Sequence, residues 1–336
     1  MICISTAFIT FNRMLRAIRS GSAPLDWKLI LKNWRDGLWV FLSQKSLFKT
    51  RPIIGFIHAI VAWGFTLYLF VNIFDVLYGF IPGFKFFPNH IIGHAYRFFT
   101  DIFSVLILFG VLYFISRRFV QNDEKLKINP PVLVSEIAKS GIKFDSLVVG
   151  LFIFIHVGSR LLSASFEIAH SKQDAYQPAA NALARLWFNM SQENIVFLEH
   201  VFWWFALGLI LVFLPYFPYS KHAHLFMGPI NIMAREKRKS MAALEKMDFE
   251  DDKLEQFGSS RLHHLPQTQI LDGYACIQCN RCQDACPAYV TGKELSPSAM
   301  EVNKRYHLNE NLKKISDGDI IDIPLTDWML TEEAAW

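Results

Sequence analysis

Four cysteines lie close together near the end of the chain, in the sequence CIQCNRCQDACP at residues 276–287. Gaps of two residues separate the first three cysteines, and the fourth stands directly before Pro287. Bacterial ferredoxins hold [4Fe–4S] clusters with this spacing, because short gaps let one loop wrap several thiolates around the cluster. The sequence therefore predicts iron–sulfur ligands at Cys276, Cys279, Cys282 and Cys286.

The fourth cysteine leaves two alternatives open. A structural zinc site is disfavoured, because its two cysteine pairs are normally separated by about a dozen residues or more. In two-cluster ferredoxins, however, the fourth cysteine of such a motif binds the other cluster. The fifth cysteine, Cys3, lies across the apolar part of the chain. Either the cluster has three cysteine ligands and a foreign fourth ligand, or a second motif lies beyond Trp336.

Composition indicates a membrane protein. Apolar residues make up 52% of the 336 residues, charged residues only 19%, and phenylalanine occurs 31 times. A soluble globular protein carries about 25% charged residues. The composition excludes a disordered chain, a disulfide-rich secreted scaffold and a nucleic-acid binder as descriptions of the whole chain, and the net charge of +4 is small.

Four segments are long and apolar enough to cross a bilayer, which takes about 20 residues. They are residues 53–74, 98–116, 147–169 and 195–217. The third segment is the weakest, because it contains Arg160 and Glu167. Charged side chains inside a span usually face a bundle interior, so we expect these two to pair with each other.

The distribution of lysine and arginine supports four spans. These residues number nine in 12–51 and six in 117–144, but two in 75–97 and three in 160–194. Cytoplasmic loops carry the excess of basic residues. Four spans place the two basic segments, and everything after Tyr219, on the cytoplasmic side.

The predicted fold class is all-α: a transmembrane bundle of four full spans plus a clipped N-terminal helix, followed by a small cytoplasmic ferredoxin-like domain. The apolar residues 2–11 are too short to span, and their basic residues follow the apolar run, unlike those of a signal peptide. They form either the tail of a helix whose start is missing, which we favour, or an interfacial helix. The expected domains are residues 1–232 (membrane), 233–269 (linker) and 270–336 (cluster).

Histidines near the cytoplasmic side are candidate haem ligands. His58 lies inside the first span, and His222 and His224 follow the last one. Haem b in a helix bundle is held by imidazoles from different helices, so we predict haem b between His58 and either His224 or His222. An interfacial anchor or a core histidine is the alternative for each of them alone.

Two other histidines leave further alternatives open. His156 and His200 lie deeper in the predicted spans and could hold a second haem, although their depths match poorly. In a transporter or coupling subunit they would instead form a proton relay with Arg160 and Glu167, since polar residues in spans mark such relays. A third alternative has no haem, and the spans then only anchor a ferredoxin-like domain.

Two stretches, YFPYSKHAHLFMGPIN at residues 216–231 and LDGYACIQCNRCQDACPAYVTGKELS at residues 271–296, resemble a family of membrane-bound iron–sulfur oxidoreductases. In that family a cytochrome b domain similar to the gamma subunit of respiratory nitrate reductase is fused to a heterodisulfide-reductase-like iron–sulfur domain. The resemblance implies haem b, two [4Fe–4S] clusters, a quinone site and the bacterial cytoplasmic membrane. Some members pass electrons from electron-transfer flavoprotein to menaquinone. Lys221 and His222 are then candidates to hold or protonate a quinone.

The chain departs from the family pattern in two respects. The histidines that hold a second, outer haem in the nitrate-reductase type subunit correspond here to Tyr68 and Ala206, so the resemblance implies one haem, with His58 and His224 as ligands. In the family, a stretch resembling TDWMLTEEAAW (residues 326–336) runs into the second cysteine motif. We therefore expect a truncated reading frame or a split gene, with a separate polypeptide carrying that motif.

Overall fold

The computed structural model describes residues 1–86, 89–236, 249–250 and 258–335. In these ranges the chain forms α-helices, short 3₁₀-helices and turns, and no β-strand. The prediction of an all-α protein is confirmed for them. The predicted linker, residues 233–269, lies partly outside the described residues and stays a prediction.

The α-helices of the described ranges are α1 (Ile2–Arg19), α2 (Trp27–Lys32), α3 (Trp34–Ser43), α4 (Lys45–Thr50), α5 (Pro52–Phe80), α6 (Ile91–Phe119), α7 (Glu136–His170), α8 (Pro178–Ala184), α9 (Gln192–Phe213), α10 (His224–Met233), α11 (Gln267–Ala275), α12 (Arg281–Asp284), α13 (Pro287–Val290), α14 (Pro297–Asp317), α15 (Leu325–Trp328) and α16 (Glu332–Ala335). By contacts they divide into two compact units. Unit 1 comprises Met1–Ser43, Asp123–Ser146 and Pro215–Trp336, and unit 2 comprises Gln44–Asn122 and Leu147–Leu214.

Among the described residues, the four helices α5, α6, α7 and α9 are long and apolar enough to span a membrane. They coincide with the four predicted segments, and α1 is not among them. Helix α7 begins eleven residues before the predicted segment, at Glu136. Helix α9 ends at Phe213, four residues before the predicted end, because Pro215 follows and the residue before a proline disfavours helical geometry.

Local sequence explains where these helices begin. Pro52 is the first residue of α5, a position at which the missing N–H costs nothing. The His90 ring accepts a hydrogen bond from the Ile92 N–H at the start of α6. The Ser191 side chain accepts one from the Asn194 N–H at the start of α9. Each cap satisfies a backbone donor that the first helical turn leaves without a partner.

The core of unit 2 lies where α5, α6 and α7 meet. Its buried apolar residues are Tyr68, Val71, Ile107, Val111 and Val157. Close packing needs Gly64 on α5 and Gly110 on α6. A Cβ at Gly64 would lie 2.6 Å from the Ile107 side chain, and one at Gly110 would lie 2.6 Å from the Val61 side chain.

Charged side chains inside unit 2 have partners from other helices. Arg160 on α7 donates to Asp75 on α5 through Nε at 2.9 Å and an NH2 group at 3.2 Å. The expected pair of Arg160 with Glu167 is therefore wrong, because the guanidinium donates to both carboxylate oxygens of Asp75 on another helix. Buried Asp101 on α6 accepts from the N–H groups of Ala179 and Ala180, at 2.6 and 2.9 Å, and so caps α8.

Unit 1 packs around α14, α11 and α1. Met14 and Ala17 on α1 are fully buried in it, and Ile18 is nearly so. On α14, Leu308 and Leu312 are equally buried. The start of α7 packs on α14 as well, through a cluster that includes Ile142 and Val302. The helices that flank the cysteine motif thus rest on a shared apolar core.

Met14→Ala tests the role of α1 in that core. Removing a fully buried side chain of this size costs about 2–5 kcal/mol, so we expect a clearly lower melting temperature of the detergent-solubilised protein. Its neighbour Leu15 is 43% exposed, and Leu15→Ala, the matched control, should change stability by about 0.5 kcal/mol or less. Equal melting temperatures for the two variants would contradict this packing.

Candidate metal centre

Three of the four motif cysteines lie on or directly beside short helices of unit 1, and Cys279 lies in the turn between α11 and α12. Cys276 is the residue after α11, Cys282 lies on α12, and Cys286 directly precedes α13. Between them the backbone bends twice through the left-handed region, at Gln278 (φ 57°) and Asn280 (φ 59°). Residues 276–286, here called the cysteine loop, are therefore a sharply turned segment between short helices.

Buried hydrogen bonds join the cysteine loop to the segment at Lys127 and to the start of α14. The Asn280 and Gln283 side-chain amides both donate to the Lys127 carbonyl, at 3.1 and 3.3 Å. Their oxygens accept from Ser298 and Ser296, each at 2.6 Å. Both amides are at most 3% exposed. Since buried polar groups are costly without partners, these bonds define one conformation of the loop.

Two donors point at sulfur atoms. The Gln278 N–H lies 3.4 Å from Cys276 Sγ, and Arg281 Nε lies 3.4 Å from Cys279 Sγ. Such donors stabilise a thiolate over a thiol. Burial acts in the opposite direction and raises the pKa of Cys276 to about 12. Ligand binding at Cys276 would therefore release a proton, because the thiolate is the ligand form.

These residues fit an iron–sulfur cluster by the chemistry of the donor set. Four thiols share one loop. Gln278 in that loop is 2% exposed, and within the described ranges neither Nε2 nor Oε1 of its side-chain amide has a hydrogen-bond partner. Cluster sulfides accept hydrogen bonds, so a cluster would give such an amide an acceptor. Within the same ranges, no three His, Cys, Asp or Glu side chains are grouped to hold a single metal ion. The ligand assignment stays a prediction.

Arg305 of α14 lies directly against the start of the cysteine loop. Its Nε donates to the Gly273 carbonyl at 2.9 Å, and one NH2 group donates to the carbonyls of Tyr274, at 3.3 Å, and Cys276. The side chain is 2% exposed. It thus closes the C-terminus of α11, where cations are favoured. Sequence analysis missed Arg305, because a basic residue in a charged helix is typical of a solvent-exposed face.

The candidate haem histidines occupy both units. His58 lies on α5 in unit 2, with its ring 6.3 Å from that of Phe114. In unit 1, His222 is buried, which lowers its pKa to about 3, so its imidazole is neutral. His224 Nδ1 lies 2.6 Å from the Lys221 carbonyl. A carbonyl only accepts, so Nδ1 carries the proton and Nε2 the lone pair, as in metal-binding histidines.

Polar side chains around Lys221 form a second network that sequence analysis did not find. Asp145 accepts from the Tyr216 hydroxyl at 2.9 Å and from the Lys221 N–H at 3.0 Å. Lys221 Nζ donates to the Ser146 hydroxyl at 2.9 Å. The lysine that was a candidate quinone contact therefore has a structural partner within unit 1.

His156 links the two positions at which the resemblance implied missing haem ligands. Its Nδ1 lies 3.0 Å from the Ala206 carbonyl, and its ring meets that of Tyr68 edge-on at 5.9 Å. Ala206, which His156 contacts on α9, follows His200 by six residues, so the two positions are about 9 Å apart along the helix. His200 itself is exposed. The structure thus gives no support to a second haem held by His156 and His200.

The proton-relay alternative gains no support either. Arg160 pairs with Asp75, and His170 Nε2 lies 2.5 Å from Glu199 Oε2. These pairs connect neighbouring helices, and of the four residues of the expected relay they include only Arg160.

Two curated relatives are similar to this chain. An iron–sulfur-binding oxidoreductase, FadF, of Bacillus subtilis (strain 168) is 32% identical over 280 residues, which cover 81% of this chain and 37% of the relative. An EtfAB:quinone oxidoreductase of Syntrophomonas wolfei is 26% identical over 345 aligned positions, which cover all of this chain and 46% of the relative.

The chain spans less than half the length of either relative. No family model matches it, and no solved structure matches it.

Two changes at position 280 test how the cysteine loop is held. Asn280→Gly keeps a residue that adopts positive φ but removes the side-chain bonds to Lys127 and Ser298. Asn280→Ala removes the bonds and adds backbone strain, so it should be the less stable by about 1–2 kcal/mol. Thermal unfolding of both variants measures the difference. An alanine variant as stable as the glycine variant would contradict the left-handed geometry.

Proposed function

We propose that this chain is the membrane electron-transfer part of an iron–sulfur oxidoreductase. It passes electrons between a cytoplasmic donor, a [4Fe–4S] cluster, haem b and a quinone such as menaquinone. The observation that carries the proposal is the cysteine loop: four ferredoxin-spaced thiols on a buried, hydrogen-bonded scaffold, in a chain with four apolar helices. One relative is named an iron–sulfur-binding oxidoreductase, which supports the cluster, and the other a quinone oxidoreductase, which supports a link to quinone.

The cysteine loop supplies the ligands. A [4Fe–4S] cluster, when bound, accepts and releases single electrons. Cys276, Cys279, Cys282 and Cys286 would hold it as thiolates. The Gln278 N–H and Arg281 Nε already donate to two of these sulfurs, and the buried amides of Asn280 and Gln283 keep the loop in place when the charge changes.

His58 and His224, with His222 as the alternative, would hold haem b. His224 fits this role because its Nδ1 proton is directed to the Lys221 carbonyl. His222 fits it because burial keeps its imidazole neutral, the form that binds iron. The haem-free alternative, in which the apolar helices only anchor the cluster domain, remains the competing proposal.

The cellular setting and domain division belong to the same proposal. The chain would lie in the bacterial cytoplasmic membrane, with the cluster domain at residues 270–336 on the cytoplasmic side and a membrane domain at residues 1–232. Electron-transfer flavoprotein would be the donor, since the name of one relative combines EtfAB with quinone.

Serine substitutions in the cysteine loop test the cluster. After anaerobic preparation, Cys276→Ser, Cys279→Ser and Cys282→Ser should each lose the iron, the acid-labile sulfide and the EPR signal of the reduced protein, because serine is a poor ligand for iron–sulfur clusters. Cys3→Ser, outside the motif, should keep all three.

Cys286→Ser separates the two ligand sets. Retention of the cluster in this variant indicates three cysteine ligands with a foreign fourth, and its loss indicates four. Wild-type protein with neither iron nor labile sulfide would refute the proposed function.

Alanine substitutions of the histidines test the haem. His58→Ala and His224→Ala should lose the b-type pyridine haemochrome spectrum, whereas exposed His200→Ala should keep it. Loss in His222→Ala with retention in His224→Ala would reassign the second ligand. A wild-type preparation with a cluster but without this spectrum would support the haem-free alternative.

A further inference from the structure

Helices α2 and α3 expose six large apolar side chains in sixteen residues. Their exposed fractions range from 41% to 70%. We call these residues the tryptophan face: Trp27, Leu31, Trp34, Leu38, Trp39 and Leu42. Proteins rarely leave so dense an apolar surface open to water, and such a surface normally marks an interaction site.

The remaining sides of α3 have other neighbours. Gly37 is buried, and a Cβ there would lie 2.5 Å from the Met233 side chain of α10. The Asn33 amide before α3 donates to the Met233 carbonyl at 3.0 Å. Successive residues of a helix are about 100° apart, so Gly37 lies about 60° from Trp34 and about 160° from Trp39 around the axis of α3. The contact with Met233 therefore borders one edge of the tryptophan face. Asp36, which is exposed, lies between Gly37 and Trp39 around the same axis.

Basic residues accompany the tryptophan face. Lys28, Lys32 and Arg35 are all exposed on the same two helices. Tryptophan together with lysine and arginine is typical of helices that lie in the headgroup region of a membrane. The chain also enters the first apolar helix at Pro52, nine residues after the end of α3. Chemistry and chain continuity therefore both favour lipid as the occupant.

We propose that the tryptophan face is a membrane-surface site that binds anionic phospholipid. Helices α2 and α3 lie along the bilayer surface, with the indoles and leucines among the acyl-chain ends and the basic groups at the phosphates. This surface is separate from the cysteine loop and does not depend on the proposed electron transfer.

Photocrosslinking of the full chain tests this site. In vesicles of phosphatidylcholine and phosphatidylglycerol, Trp39→p-benzoylphenylalanine should give phospholipid adducts on irradiation, detected by mass spectrometry. Leu31→p-benzoylphenylalanine provides a second position on the same face, and Asp36→p-benzoylphenylalanine is the matched control on the polar side of α3. We expect several-fold more lipid adduct at positions 39 and 31 than at position 36.

Three results would overturn the proposal: adducts to a second copy of the chain or to another protein at Trp39 and Leu31, equal lipid labelling at Asp36, or no lipid adduct at either apolar position.

A second observation, independent of the tryptophan face, concerns Arg305 on α14. Its guanidinium is buried against the Cys276 carbonyl, yet within the described residues it has no carboxylate partner. Glu301, one turn earlier, pairs with Lys304 at 2.9 Å. One guanidinium nitrogen, NH1, has no hydrogen-bond partner in the same ranges. A buried cation that no carboxylate contacts at salt-bridge distance is costly, and a thiolate-bound cluster is an anion that would lie beside it.

We infer that Arg305 is a positioning residue that raises the reduction potential of the cluster. This inference rests on the proposed function. Reduction of a bound cluster would add one electron from the donor, and so one negative charge, next to Arg305. A fixed neighbouring cation stabilises the reduced form more than the oxidised form, and nearby charge is among the factors that set such potentials.

EPR-monitored redox titration of the anaerobically prepared protein tests Arg305. Arg305→Gln should shift the midpoint potential to more negative values, whereas Arg305→Lys, which keeps the charge, should stay near the wild type. Unchanged potential in Arg305→Gln would overturn the inference, and so would equal shifts in both variants.

If a variant loses the cluster and cannot be titrated, its iron and labile-sulfide content is compared with that of the other variant. Loss of the cluster in Arg305→Gln with retention in Arg305→Lys supports a need for the cation, and loss in both indicates a purely structural helix cap. A wild type without any cluster would instead refute the proposed function, so the two failures are distinguishable.

Discussion

The buried amides of Asn280 and Gln283 in the cysteine loop need hydrogen-bond partners within the protein, and distant segments of unit 1 provide them. Two residues turn the backbone through positive φ, and two amides, Asn280 and Gln283, are buried beneath it. The segment at Lys127 and the start of α14 provide the partners of these amides. A buried amide without partners would cost about 1–3 kcal/mol. The conformation of the cysteine loop therefore depends on the distant segments that form hydrogen bonds with it.

The apolar helices obey the same rule in a different solvent. Hydrocarbon offers no hydrogen bonds, so charged and polar groups in spanning helices need partners within the bundle. Arg160 has Asp75, Asp101 caps α8, and the Tyr68 hydroxyl lies 2.6 Å from Ser104 Oγ. These groups have partners within unit 2, so a charged residue in a span does not by itself indicate a relay.

The histidines differ by what surrounds their ring nitrogens. His156 is engaged by the Ala206 carbonyl and by aromatic rings, while His224 is oriented by the Lys221 carbonyl at the start of α10. A backbone carbonyl on Nδ1 decides which nitrogen carries the lone pair. Burial keeps the imidazole of His222 neutral, because it lowers the pKa of that ring to about 3.

The sequence alone determined the all-α class, the four apolar helices and the cysteine motif, because these depend on composition and on short spacings along the chain. It placed the ends of α7 and α9 only approximately, since capping and the proline at 215 decide them locally. Tertiary structure alone decided the partners: Asp75 for Arg160 across 85 residues, and Lys127 for Asn280 across 153. It also buried Arg305 beside Cys276. Such pairs depend on which helices approach each other, and no local pattern of residues encodes that choice.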